Sequence, residues 1–343
     1  VKKLFLAACL ISNPGWTYEL NDSHFHLTNY IQEGTDIKKM LKIMGNNVGR
    51  AVLFGIPLQQ QWSERISGEK NPPKYYLDTD AHLYYYSFTD ANIAMAFNSL
   101  TPDEKKRFDP MITGFNPTDM YAADHIKRVL KTFPGVFSGI GEFTIHKEFV
   151  SSKIAGDVAS LTDKALDRIL DFTAESGLIA IIHNDFHTPF PKEGAEPTYF
   201  QQMKDLLRRH ADTDIIWAHF GVGRIIQPIE EHGGGIERIL KDPAFKNVYF
   251  DISWSEVAKY VVATPKSLEH AAALLEKYPD RFLFGSDEVA PDSTEQFLRV
   301  YNQYAPLWAL LKKDTLKKVT ITNHERLFDK ARLKVRAWEK KNL

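Results

Sequence analysis

The sequence predicts an α/β protein, a single (β/α)8 barrel with long loops after its second and fifth strands. Two observations carry that prediction. Eight short β-rich runs alternate with segments of helical spacing along nearly the whole chain. Several of these runs are almost continuously apolar, as expected of parallel strands covered on both faces. An open doubly wound sheet is the competing arrangement, but no glycine-rich phosphate loop follows the first run.

The first run is YELNDSHFHL (18–27), followed by the helix-like DIKKMLKIMG. The second is GRAVLFGIP (49–57); a long connection over 57–87 follows, and TPDEKKRF closes the segment. After the third, FDPMITGF (108–115), comes TDMYAADHIKRVLKTFPG, with Thr118 as an N-cap candidate and a stop at Pro134-Gly135. The fourth, VFSGIGEF (136–143), precedes LTDKALDRILDFTAESG. There Leu166, Ile169, Leu170 and Thr173 fall at helical spacing, and Gly177 ends the helix. The fifth, LIAIIHND (178–185), leads into the second long connection, 184–199, and the helical TYFQQMKDLLRRH. The sixth to eighth are DIIWAHFG (214–221), NVYFDIS (247–253) and RFLFGSDE (281–288). TPKSLEHAAALLEKYPD and TEQFLRVYNQYAPLWALL supply further helices. Loops that follow strands lie on the catalytic face of such a barrel, so the two long connections are candidate lids or binding loops.

Composition narrows the function classes. Lys+Arg 43 against Asp+Glu 44 gives a net charge of −1, so nothing points to nucleic acid as a partner. Cys9 is the only cysteine, which leaves neither an intrachain disulfide nor a cysteine-based zinc site. No run reaches the roughly 18 apolar residues of a membrane span. The opening VKKLFLAACLIS has the order of a secretory signal, and Leu6-Ala7-Ala8-Cys9 resembles a lipoprotein processing box. Its apolar part is short, however, so residues 1–17 read equally well as an arm packed on a barrel of residues 18–343. Cytoplasmic and exported locations both stay open.

The chemistry lies at the strand ends. His24 and His26 share one face of the first strand, with Asp22 in the same parity and Phe25 opposite. An HxH pair alone is weak evidence. Glu142, His183, His219 and Asp287, however, directly follow the apolar parts of the fourth, fifth, sixth and eighth runs. The C-terminal ends of all strands converge on one mouth of a barrel. Imidazoles and carboxylates meeting there suit zinc, manganese, iron or a related divalent ion.

This set resembles the amidohydrolase superfamily, over roughly Leu20 to Phe328. It rests on His24-x-His26, His183, His219 and Asp287, and NVYFDIS and RFLFGSD resemble the branch that mixes amidohydrolases with metal-dependent decarboxylases. The resemblance implies that His24, His26, His183 and Asp287 hold the ion. It implies that His219 orients substrate or stabilises developing charge, and that Asp287 handles the proton of the attacking water. Glu142 departs from the members that carry a carboxylated lysine at strand four; Lys147 lies further on. Glu142 is a metal ligand in this reading, as a bridge or at one ion, and a hydrogen-bonding role or a pairing with Arg50 or another buried cation is the alternative. One ion is favoured over two, and zinc over manganese or iron.

The expected function is a metal-dependent hydrolase of a small-molecule ester, lactone, amide or related bond, with Asp287 as general base and acid. A nonoxidative decarboxylase on the same barrel is one alternative, and a catalytically silent binding barrel is the other. Arg65 and Tyr76 from the 57–87 segment, His146, Arg224 and Trp254 are candidate substrate contacts. For at least half of the tyrosines in that segment, packing within a lid or a homo-oligomer contact is the simpler reading.

Overall fold

The computed structural model describes residues 19–67, 70–190, 192, 197–228 and 232–343; the arm over 1–17 lies outside them. Eight parallel strands form one sheet in chain order: β1 (Leu20–Asp22), β2 (Val48–Leu53), β3 (Phe108–Ile112), β4 (Gly139–Thr144), β5 (Ile179–His183), β6 (Ile215–Trp217), β7 (Val248–Asp251) and β8 (Phe282–Leu283). Each falls, to within one residue at either end, inside one of the eight runs read from the sequence. The first and last strands meet beyond their regular parts. Phe25–His26 pairs in parallel with Glu288–Val289, Ser23 N–H donates to the Phe284 carbonyl at 3.0 Å, and Asp287 N–H donates to the His24 carbonyl at 2.7 Å.

Alternation along the strands separates two apolar layers. Val52, Met111, Ile179, Ile181, Ile216 and Leu283 fill the barrel interior. Ala51, Ile140, Ala180, Ile182 and Phe250 face the surrounding helices. Leu327, Phe328 and Ala331 of the C-terminal helix Asn323–Asn342 join the interior cluster. That helix also supplies Arg332 and His324 to a buried anchor. The fully buried Asp109 carboxylate on β3 accepts from Arg50 Nη2 at 2.8 Å, Arg332 Nη2 at 2.6 Å and His324 Nε2 at 3.0 Å.

Local reading of the helices succeeded where a polar face or a stop residue was present. Lys164–Ser176 ends on Gly177 in the left-handed conformation (φ 77°), and Pro265–Lys277 opens with a Thr264/Ser267 capping box. Thr118 is not an N-cap. The helix begins at Ala122, and the Thr118 N–H and hydroxyl donate to Asn116 Oδ1 in a preceding turn. The helix Phe88–Asn98 escapes sequence reading because apolar side chains run round its circumference: Ile93, Ala94 and Phe97 are buried while Met95 is exposed. The connection over 57–87 is structured in part. Leu58–Gln60 pairs antiparallel with Leu83–Tyr85, and Tyr76 packs with Tyr30, Ile56 and Leu83 in a satellite core.

Candidate metal centre at the barrel mouth

The strand ends bring six of the expected residues together. His24 Nε2 lies 3.4 Å from Asp287 Oδ1 and 3.8 Å from Glu142 Oε2; His26 Nε2 lies 3.2 and 3.6 Å from the same two oxygens. On the other side of Glu142, its Oε1 is 2.6 Å from His183 Nδ1 and 3.2 Å from His219 Nε2. The donor atoms thus fall into two triads, His24/His26/Asp287 and Glu142/His183/His219, each spanning no more than 4.8 Å. Arg50 is committed to Asp109 and Asp329, so Glu142 is not its partner; the buried cation beside Glu142 is Lys147, at 3.7 Å.

Backbone conformation aims these groups. His219 and Asp287 both sit at positive φ (57° and 52°), a region that costs a side-chain-bearing residue on the order of 1–3 kcal/mol. Hydrogen bonds hold them there: His219 N–H donates to Asp251 Oδ1 at 2.9 Å, and Asp287 N–H to the His24 carbonyl at 2.7 Å. Gly285 lets β8 pass His24, since a Cβ there would stand 2.6 Å from the His24 Cβ. Asp22 ties the same seam, accepting the N–H groups of His24 and Ser286 at 2.9 Å each.

Asp251, at the end of β7, orients two of the imidazoles. Its Oδ2 accepts from His24 Nδ1 at 3.0 Å, so His24 Nε2 faces the centre, buried and without a hydrogen-bond partner among the described residues. Its Oδ1 accepts from the Ser253 hydroxyl, whose oxygen in turn accepts from His219 Nδ1 at 2.8 Å. With Nδ1 so engaged, His219 Nε2 is turned toward Glu142 Oε1. The sequence reading passed over Asp251, although it follows an apolar run just as the selected residues do. We expect Asp251→Asn to weaken binding of a divalent ion about 10–100-fold, because an amide cannot accept from both histidine systems. A chelator-competition titration measures this, and unchanged affinity would remove Asp251 from the support of the centre.

The charges settle with the carboxylates ionised. Burial opposes ionisation of Glu142, but Lys147, His183 and His219 outweigh it and hold its carboxyl well below the usual range. Burial likewise opposes Asp287, and His219, His26 and His24 overcome it. Burial, reinforced by Lys147, pushes His183 down to about 3, so its imidazole is neutral, the form that ligates metals.

A cavity of about 420 Å³ opens from His26 and Asp287 and is also lined by Tyr76, Lys147, Arg224 and Trp254. Trp254 stands 5.2 Å, ring to ring, from His219. Two of the expected substrate contacts lie elsewhere. Arg65 is exposed on the short helix Glu64–Ser67 and does not line the cavity. Strand β4 ends at Thr144, before His146, and the His146 ring stacks on Tyr199 at 3.8 Å instead of facing the cavity.

Comparison with solved structures finds the same fold at low identity. A candidate 2-pyrone-4,6-dicarboxylic acid hydrolase from Pseudomonas putida superposes with a TM-score of 0.54 at 14% identity, covering 91% of this chain and 98% of that one. Dihydroorotase from Campylobacter jejuni gives 0.53 at 15% identity, with 91% and 83% covered. A zinc-bound amidohydrolase from Burkholderia multivorans gives 0.53 at 11%, with 90% and 99% covered. A search of curated proteins finds no match. The family model described as amidohydrolase matches residues 22–330, which span strands β2 to β8 and every residue of the two donor triads. The chain belongs to the amidohydrolase family.

Proposed function

We propose that the protein is a metal-dependent hydrolase of a small-molecule ester, lactone, amide or related bond. The observation that carries this reading is the pair of buried donor triads meeting at Glu142. The residues fit a divalent ion: His24 Nε2 is buried with no hydrogen-bond partner among the described residues, the His183 imidazole is neutral, and the Glu142 and Asp287 carboxylates are ionised. His24, His26 and Asp287 would hold it, with Glu142 and His183 beside them, and zinc is our first choice. When bound, such an ion supplies water whose pKa falls toward ~7 and polarises the scissile group.

The chain's own groups do the rest. Asp287, kept ionised, takes the proton of the attacking water and returns it to the leaving group. His219, with Nδ1 engaged by Ser253, presents Nε2 to the centre and to the substrate oxygen. Trp254 and Tyr76 wall the cavity and limit access of bulk water to the reacting atoms. Glu142, His183 and His219 would offer donors for a further ion, and one ion is our first choice.

Elemental analysis of protein purified without added metal or chelator, joined to a panel of esters, lactones and amides, tests this reading. We expect at least one divalent ion per chain and hydrolysis that a chelator abolishes. Absence of an ion, with no uptake of zinc or manganese, would overturn it. Release of carbon dioxide in place of hydrolysis would assign the same residues to decarboxylation.

A further inference from the structure

We propose that the outer face of the C-terminal helix Asn323–Asn342 is a docking surface for a bilayer rich in anionic phospholipid, which seats the barrel with its mouth turned away from the membrane. The proposal is independent of the chemistry at the mouth.

The helix lies across the end of the barrel opposite the donor triads, because its partners are the segments that lead into the strands. Arg326 Nη2 donates to the Asp280 carbonyl at 2.8 Å, just before β8, and Lys330 Nζ to Asp214 at 2.6 Å, just before β6. Glu339 accepts the Gly135 N–H at 3.2 Å, ahead of β4, and Arg332 Nη2 donates to the Phe108 carbonyl at 3.2 Å, at the start of β3. Leu327, Phe328 and Ala331 turn inward into the barrel. The other face is left to solvent: Arg326, Lys330, Leu333, Lys334, Lys340 and Lys341 are all exposed. Their spacing of three, four and seven residues sets them in one stripe along the helix.

Charge is concentrated there. Residues 312–343 hold eleven Lys and Arg against four Asp and Glu, in a chain whose net charge is −1. Among the described residues, Lys334, Lys340 and Lys341 make no ion pair, and Lys330 is held by Asp214. The one exposed acid of the helix, Asp329, is engaged by Arg50 at 2.8 Å. A stripe of this kind is drawn to the negative surface of an anionic bilayer, gaining roughly fivefold in affinity for each cation that reaches it.

Two observations favour a bilayer over a nucleic acid. Leu333 stands among the cations and is 73% exposed. A headgroup layer takes up such an apolar tip together with the lysine stems, whereas a phosphate backbone offers it nothing. The chain also enters the barrel at this end. Glu19 N–H donates to the Asn47 carbonyl at 2.9 Å, just ahead of β2, and Asn21 Nδ2 to the Ile321 carbonyl at 3.3 Å, beside the start of the helix. The sequence that precedes it, VKKLFLAACLIS, sets two lysines ahead of an apolar stretch, a composition that suits the same surface.

Cosedimentation with vesicles of phosphatidylcholine, pure or with one third phosphatidylglycerol, tests the proposal. We expect at least about tenfold tighter binding to the anionic vesicles, fading in ~1 M NaCl, where the screening length falls to about 3 Å. Lys334→Gln, Lys340→Gln and Lys341→Gln combined should weaken it about 100-fold. Leu333→Ser should weaken it about threefold. All four side chains are exposed, and circular dichroism verifies the fold of each variant. Every variant keeps residues 1–18, so binding carried by that segment alone would survive the substitutions. Four results would overturn the proposal: no binding to anionic vesicles, equal binding to both kinds, binding unchanged by the triple lysine substitution, or tighter binding to a short DNA duplex than to anionic vesicles. The third would assign attachment to residues 1–18, and the fourth would make the stripe a nucleic-acid surface.

Discussion

Replacing His24 and His26 together by alanine is expected to leave a folded barrel that binds at least one fewer divalent ion per chain and has no detectable chelator-sensitive hydrolysis. Both imidazoles are buried, and both present Nε2 within 3.4 Å of Asp287 Oδ1. Removing them leaves that triad with one carboxylate, too few donors for a stable tetrahedral or five-coordinate site. The seam between β1 and β8 should persist, because backbone groups make it: Ser23 N–H to the Phe284 carbonyl, and Asp287 N–H to the carbonyl of residue 24. Elemental analysis after dialysis, with circular dichroism to verify the fold, measures the effect. An ion count equal to wild type would sink the assignment of these histidines as ligands.

The largest expected effect on stability is at the other end of the barrel. Asp109→Asn should destabilise the fold by roughly 3–5 kcal/mol, toward the lower figure because Arg332 is exposed enough to recruit water. The buried carboxylate is the common acceptor for Arg50, Arg332 and His324, joining β2, β3 and the C-terminal helix. An amide keeps some hydrogen bonding but leaves Arg332 without its charge partner and Arg50 with Asp329 alone. The pH dependence has a definite sign. Burial opposes ionisation of Asp109, yet Arg50, His324 and Arg332 prevail and place its folded-state pKa well below the usual carboxylate range. The stabilisation is therefore fully present above the unfolded value of about 3.9 and drains away as pH falls below it. Urea unfolding of wild type and variant should differ widely at pH 7 and converge in acid. A difference that stays constant with pH would show that the anchor works through shape and not through charge.

The inference at the barrel mouth followed from a simple coincidence of position. His183 and His219 each close an apolar run, and a run of that kind ends where a parallel strand ends. Asp251 meets the same criterion, yet its importance comes from the atoms it faces across the barrel, His24 Nδ1 and the Ser253 hydroxyl. The helix Phe88–Asn98 illustrates a different loss. With no polar face it gives no periodic signal, but Asp90 on it accepts the Thr113 and Gly114 N–H groups just past β3. Its place is fixed by a buried partner distant in sequence. His146 shows the converse, since local parity would have aimed it at the cavity had β4 not ended two residues earlier.

The sequence by itself determined the eight strands, their barrel order and the identity of the residues at their ends, because burial on both faces and the two-residue period are local properties of a strand. Only the tertiary structure decided which of those residues share an acceptor, which nitrogen of each imidazole faces the centre, and that Trp254 stands beside His219. Those outcomes depend on ångström distances between segments tens to hundreds of residues apart, and no local periodicity encodes them.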